Sequence, residues 1–520
     1  MALGWTAELA LGPSALFGAN GLHFGPDGQL YVAQAFGSQV SRIDPATGTV
    51  GLVSRQDGAL VAPDDLAFDS QGVMYATEVF SGRVSARARD GGVRVLAGDL
   101  PVVNGITVHQ ERIFVDEFRV GGRVLELYRD GRAPRVIAQD QVLPNALTAG
   151  PDGYLYFPLV VNGEVARVPI DGGAVEVFIS GLDLPTAVKF DPQGRLIVVQ
   201  SGSGEVTRYE LPSRLATRVA RVRPGIDNLA FSASGELFVS HFTDGGIDRI
   251  GADGSEQALV RAGILGPYGL AEAPDGRLFF ADGMSYGVLS PDGTIERPSM
   301  LLRHGFPGYV CGIAVAADGT LYLGNSAGGI ASFVPGQEAD FLATELDQVM
   351  GLAVAPDGSV LACEAGGGRL LSIRKGAEPR VLASGLKQPT AVAVAGDGSY
   401  LISEAGSGRV LHWQHGSLTT MKSGLVQPHG IAVQGDAVYV VDRADKSLHA
   451  LSLASGKSSV VAHGLPVGTA AGVVPHVLPG IPGIMPGPLL SFTGLTATRD
   501  GGLALSGDAD GSLLRLRPTS

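Results

Sequence analysis

The sequence predicts an all-β chain folded as two tandem six-bladed β-propellers, twelve four-stranded blades in all. Three observations carry this. A motif recurs along the whole chain, its short segments alternate like strands with no sustained helical period, and Asp-Gly turns hold a fixed place within it.

The repeat is read first from NGLHFGPDGQLYVAQAFGSQVSRID, which starts at Asn20. Related segments start at Asp64, Asn104, Asn145, Thr186 and Asp227, then at Tyr268, Cys311, Met350, Thr390, His429 and Thr493. These starts lie 39 to 44 residues apart, except for a last gap of 64. Each unit opens with a short strand such as LAVAP. A turn of the Asp27-Gly28, Asp152-Gly153, Asp275-Gly276 or Asp357-Gly358 type follows, and Asp-Gly supplies the positive φ of a tight hairpin. Then come a second strand (QLYVA), a small-residue turn (SGSG), a third strand (RVLELY) and a fourth (VRVLAG).

Four antiparallel strands per unit is the pattern of a propeller blade, and twelve blades exceed one ordinary ring. Two rings of six are therefore expected. A strand-like TAELAL precedes the first unit, and the chain ends on LLRLRP with no fourth strand after it. That phase predicts that each ring is closed by a strand from its own N-terminal end, with EQALVRAG opening the second. The domains are then residues 1–253 and 254–520, divided near Gly254, with an apolar insertion at 463–492.

Composition narrows the function. The net charge is -13, so a basic footprint for nucleic acid is absent. No apolar run of membrane-spanning length lacks Gly and Pro breaks, and the N-terminus has no basic, apolar leader, so a soluble, cytoplasmic protein without a membrane span is expected. Two cysteines, Cys311 and Cys363, make neither a disulfide framework nor a zinc site.

The innermost strand of a blade lines the central channel, so the residues leading these strands converge at one mouth. In the first ring they are Asn20, Asp64, Asn104, Asn145, Thr186 and Asp227; in the second, Tyr268, Cys311, Met350, Thr390, His429 and Thr493. A ring of amides and carboxylates suits a hard cation such as calcium, which accepts oxygen ligands of both kinds. Asn and Asp also cap turns, but the second ring, with the same turns, shows no such enrichment.

The repeats, with their PDG-x-LYV turn, resemble the senescence-marker, gluconolactonase and paraoxonase-like six-bladed propellers, here in two copies. FGANG at Asn20, PVVNG at Asn104, LPNAL at Asn145 and GIDNL at Asp227 and Asn228 are similar to the segments that hold that family's calcium. The resemblance implies a divalent-metal site formed by Asn20, Asn104, Asn145, Asp227 and Asn228 with His241 beside it. Asp64 would supply the carboxylate that the family usually places, as Glu, at the first blade. The implied activity is metal-dependent hydrolysis of a lactone or other ester, a small-molecule substrate, with His241 or His23 handling the proton. Two alternatives stay open. One is a lyase or isomerase using a cation-stabilised enolate, or the QPHGIAV segment, which resembles the streptogramin B lyases and would pair His429 with Glu404 or Glu364. The other is a non-catalytic binding scaffold.

Acidic residues also recur after the second strand, at Glu78, Glu117, Glu364, Glu404 and Asp442. Their presence in both rings predicts a structural role, bonding the next turn or Arg83, Arg123, Arg369 and Arg409. From Ser458 to Thr498 there is no charged residue. This insertion is expected to act as a lid, to pack between the rings, or to dock a protein partner.

Overall fold

The computed structural model describes residues 4–297, 300–470 and 473–519. These residues form twelve four-stranded sheets and one two-stranded sheet, a tandem β-propeller. Two compact units result. The first is Ala15–Leu265 with Val474–His476; the second takes the residues up to Ser14, Gly266–Val473 and those from Val477 on.

The first unit has blades at 22–54, 63–97, 103–142, 148–179, 185–221 and 226–260. Burial grades across each blade. In blade five the second strand, Leu196–Gln200, is buried throughout, whereas the fourth, Ala216–Arg221, is mostly exposed. The β-branched residues of inner strands interdigitate between neighbouring blades. Ala187, Ile197, Val199 and Val206 of blade five pack on Leu229, Leu237 and Val239 of blade six, and each buried aliphatic side chain contributes about 1.5–3 kcal/mol relative to exposure. The Asp-Gly turns take the expected conformation, with φ of 75° at Gly28 and 83° at Gly153.

The closure differs from the expectation. TAELAL does not close the first ring. It forms Trp5–Leu11 and pairs with Ser512–Pro518, from Trp5↔Pro518 to Leu11↔Leu513. EQALVRAG does not open the second ring; Glu256–Val260 pairs with Ile247–Ile250 and completes blade six of the first. The division therefore falls between Leu265 and Gly266 rather than near Gly254. The physical reason is that one missing fourth strand, at the chain's end, leaves one unpaired edge, and a single strand from the chain's start satisfies it. The first unit closes without a shared strand: the Ser240 hydroxyl of blade six donates to the Asn20 carbonyl of blade one at 2.6 Å.

The second unit has blades at 267–296, 310–343, 349–384, 389–422 and 428–462, and its sixth combines Trp5–Leu11 with Ser512–Pro518, Leu503–Gly507 and Leu495–Ala497. The insertion folds back on this unit. Leu478–Ile481 pairs with Met485–Leu489, the Gly308 N–H donates to Ile484 O at 3.2 Å, and the Ser326 hydroxyl donates to Pro486 O. Leu478, Ile481, Met485 and Phe492 are buried. Its apolar side chains cover the channel mouth of this unit; residues 471–472 lie outside the described set. No helix among the described residues is long and apolar enough to cross a membrane.

Candidate functional site: the channel mouth of the first unit

The innermost strands approach so closely that the residue after the lead position is sterically constrained. A Cβ on Gly21 would lie 2.4 Å from Asp65 Cα, and one on Gly105 would lie 2.6 Å from Ala146 N. The second unit shows the same crowding: a Cβ on Gly269 would meet Cys311 O at 2.6 Å and one on Gly430 would meet Leu495 N at 2.6 Å. Glycine in the Asn-Gly and His-Gly pairs thus serves the fold in both units.

At the mouth of the first unit Asn20, Asp64, Asn104, Asn145 and Thr186 are buried, and Asp227 is half-buried. The Asn104 side chain eases the burial of the Asp64 carboxyl group and that of Asn20 eases the burial of Asp227, so each mouth carboxyl group has an amide of the next blade near it. The Thr186 hydroxyl donates to Ile226 O at 2.9 Å. Just inside stands Asp65. Its Oδ1 accepts from the Leu66 N–H at 2.9 Å and from Asn228 Nδ2 at 3.2 Å, and its Oδ2 accepts from the Ile106 N–H at 3.1 Å. Asp116 Oδ1 accepts from the Gly105 N–H at 3.0 Å, while its buried Oδ2 has no hydrogen-bond partner. Lys189 reaches from blade five to blade one, donating to Leu22 O at 2.9 Å. The His23 Nδ1 lies 2.8 Å from Phe24 O.

Buried carboxylates so close together hold protons more tightly. Burial, and then Asp65 and Asp116, push Asp64 up to about 8. Burial, and then Asp64 and Asp65, raise Asp227 well above the ordinary range. Burial raises Asp65, opposed by Lys189, and lifts Asp116 to about 7. Burial and Lys189 lower His23 to about 4. An acid that binds its proton more tightly in the folded than in the unfolded chain makes stability fall as pH rises between the two affinities. The contribution of Asp64 is therefore lost from the ordinary carboxylate range up to about 8. Thermal melts in chelator should show a lower Tm at the top of this window than at its foot, and Asp64→Asn should flatten that slope. An unchanged slope in the variant refutes the assignment.

Three sequence-predicted roles do not survive the geometry. His241 is 0% exposed, and its Nε2 lies 2.9 Å from Asp248 Oδ2. Seven residues separate the pair. The same spacing joins Gln34 to Ser41, Glu78 to Ser85 and Gln200 to Thr207. His241 is thus blade six's version of a lock between the second and third strands, sealed from any substrate. Arg223 and His241 outweigh the burial of Asp248 and hold that carboxylate below its usual range. Asn228 is not turned to the mouth, because its Oδ1 accepts from the Leu229 N–H at 2.8 Å while its Nδ2 serves Asp65. His429 does not pair with Glu404 or Glu364. Its Nδ1 accepts from the Thr493 N–H at 3.3 Å, and its ring stacks on Phe492 at 5.8 Å. Burial and then Arg443 push it down to about 3. Glu404 binds the Lys387 N–H at 2.8 Å and Arg409 at 2.6 Å. Glu364 binds the Asp347 N–H at 2.9 Å and Arg369. Glu78 and Glu117 hold Arg83 and Arg123 in the same way.

The sequence reading missed Asp65, Asp116 and Lys189. Lys189 had a visible signal: VKF is the one innermost strand of the first unit with a lysine where the others read LHF, LAF, ITV or LTA. Asp116 lies one residue before the recurring acid Glu117 and was masked by it.

No family model and no curated protein matches the chain. Solved structures do. Selenomethionine-substituted virginiamycin B lyase from Staphylococcus aureus is 17% identical, over 49% of this chain and 90% of that one, with a TM-score of 0.30. A catalytically inactive form of that lyase with quinupristin gives the same identity and coverage and a TM-score of 0.31. A chain of a nidogen/laminin complex is 17% identical over 45% of this chain and 95% of its own, with a TM-score of 0.40. Each likeness spans about half of the chain and is one of fold.

Proposed function

We propose that the first unit is a metal-dependent hydrolase of lactones or other esters, with a hard divalent cation, calcium, at its channel mouth. One observation carries the reading. Carboxylates from blades two, three and six converge in this channel with amides from blades one and three, and burial and then the neighbouring carboxylates raise the proton affinity of Asp64 and Asp227, whereas the second unit, built on the same repeat, leads its strands with Tyr268, Cys311, Met350, Thr390, His429 and Thr493.

The residues fit such an ion. The donors are all oxygen, the carboxyl groups of Asp64 and Asp227 are crowded in the way a cation relieves, and Asp116 keeps a buried oxygen without a partner. No three His, Cys, Asp or Glu side chains among the described residues form a ligand cluster by themselves, so Asn20, Asn104 and Asn145 would complete the set with their amide oxygens. When bound, the ion would polarise a substrate carbonyl and stabilise the developing oxyanion. The protein's own part is the proton. With Nδ1 donating to Phe24 O, the neutral His23 keeps the Nε2 lone pair to accept a proton from water.

The test is a calorimetric calcium titration of the full chain after chelation, with lactone and ester turnover followed in parallel. A single site and turnover that rises with occupancy are expected. No binding, or turnover indifferent to calcium, overturns the reading.

A further inference from the structure

Between Ala15 and Leu265 the sequence holds 21 arginines and one lysine. Most of these arginines are held by acids, as in Arg112–Glu126, Arg123–Glu117 and Arg223–Asp244. Arg87 and Arg89 are not. Arg87 donates to Val53 O at 3.4 Å, and neither residue has an ion-pair partner among the described residues. Both line a cleft of about 350 Å³ between blades one and two, walled by Tyr31, Phe68 and Met74, with Asp27 at its rim. The innermost strand Pro63–Phe68 carries Asp64 near its start and Phe68 at its end, so the cleft lies at the far side of the unit from the channel mouth.

Two related positions in the same unit show what this one lacks. Three tyrosines on second strands donate to an aspartate of the preceding turn: Tyr31 to Asp27 at 3.0 Å, Tyr75 to Asp69 at 3.0 Å and Tyr156 to Asp152 at 2.7 Å. In the last two an arginine closes the pair. Arg129 donates to the Tyr75 hydroxyl at 2.9 Å, lies 3.3 Å from Asp69 and is held by Glu111 at 2.8 Å. Arg167 donates to the Tyr156 hydroxyl at 3.2 Å, lies 3.4 Å from Asp152 and is held by Glu176 at 2.9 Å. No arginine bonds Tyr31 or Asp27. Arg87 and Arg89 lie against glycine turns instead: a Cβ on Gly91 would stand 3.4 Å from Arg87 Nη2, and one on Gly72 2.5 Å from Arg89 Nε. The cleft thus keeps two cations without a counter-charge. Its one carboxylate, Asp27, already accepts from the Tyr31 hydroxyl and from the Gln29 N–H at 3.2 Å.

We propose that this cleft is a binding site for a small phosphate monoester that carries one aromatic ring, with the phosphate on Arg87 and Arg89 and the ring against Tyr31, Phe68 and Met74. A planar guanidinium presents paired N–H groups to phosphate oxygens. The ester carries close to two negative charges near neutral pH, one for each arginine. Tyr31 and Phe68 meet edge-on at 5.0 Å and offer an apolar surface on which a ring is buried. The volume stands at the low end of the range for ligand cavities, about 300–1,000 Å³, which limits the ligand to one ring system. Asp27 disfavours a further acidic group on that ring. None of the channel-mouth residues takes part, so this site and the cation reading stand or fall separately.

The test titrates the full chain with phenyl phosphate by calorimetry, in chelator, near neutral pH and at low ionic strength, with inorganic phosphate and phenol in parallel. Phenyl phosphate should occupy one site and bind more tightly than either. Arg87→Gln and Arg89→Gln should each weaken it about fivefold, and salt at about 0.5 M should weaken it in the wild type. Arg94→Gln is the control, since Arg94 is exposed and lines the adjoining cleft instead; affinity should not respond to it. No binding of phenyl phosphate, binding no tighter than that of inorganic phosphate, indifference to both cleft variants, or an equal response to Arg94→Gln overturns the proposal. Arg89 is exposed in a turn, so Arg89→Gln should fold and decides alone if Arg87→Gln does not. The chelator removes any contribution from a cation at the channel mouth.

Discussion

Asp227→Ala is expected to lower calcium affinity by about a hundredfold or more, because carboxylates supply most of the attraction for a hard cation, and to abolish ester turnover with it. The variant should nonetheless fold, and its metal-free form should lose less stability than the wild type as pH rises above the ordinary carboxylate range. Asp227 is raised by burial and by Asp64 and Asp65, so above its own titration it adds an unfavourable negative charge to a crowded channel, and alanine removes that repulsion. If Asp227 merely capped a turn, the signs would differ: stability would drop by about 1 kcal/mol and cation binding would stay as it was. Calorimetry and melting of the same two proteins therefore separate the cases. His429→Asn is the control. Its ring is enclosed by Phe492 and Thr493 in the second unit, and neither calcium binding nor turnover should respond to it. A loss of turnover in that variant would move the chemistry to the second unit.

Much of the fold was legible because the repeat is periodic and Asp-Gly turns recur at the same hairpin in both units. The closure was not, since a strand's phase shows that an edge needs a partner without showing which edge. The lead residues of the first unit were readable as a polar set, yet the direction in which each amide points was not. Asn228 spends its oxygen on the Leu229 N–H, while Asp65, beside Asp64, faces the channel. The fate of His241 was written in the spacing. Gln34–Ser41, Glu78–Ser85, Gln200–Thr207 and His241–Asp248 all stand seven apart, and aligning the repeats on their second strands would have shown the histidine in a position reserved for cross-strand bonds. Lys189 was legible in composition, as one lysine among 21 arginines. The insertion was legible as uncharged, but only the packing of Phe492 on His429 shows which mouth it covers.

A chain that begins at Ala15 should retain the first unit and lose much of the stability of the second. Trp5–Leu11 is the fourth strand of the sixth blade in that unit. It pairs with Ser512–Pro518 at six positions, the Trp5 ring meets Tyr439 edge-on at 5.6 Å, and the Ser14 N–H donates to Asp510 O at 2.8 Å. Net contributions near 1 kcal/mol per hydrogen bond and a similar amount for the aromatic contact add to about 5 kcal/mol. For a unit of this size that corresponds to a fall in Tm of about 10–20 °C. Removing the strand also bares the N–H and C=O groups of Ser512–Pro518, an open edge that invites association between copies. The first unit draws no strand from residues 5–11, since all four strands of each of its blades lie between Leu22 and Val260. Calorimetry of the truncated chain should therefore show one transition where it stood and one displaced downward. A synthetic peptide of residues 1–14 should restore the displaced transition in proportion to its concentration. Equal displacement of both transitions, or none of either, would contradict this closure and return each ring to a strand of its own.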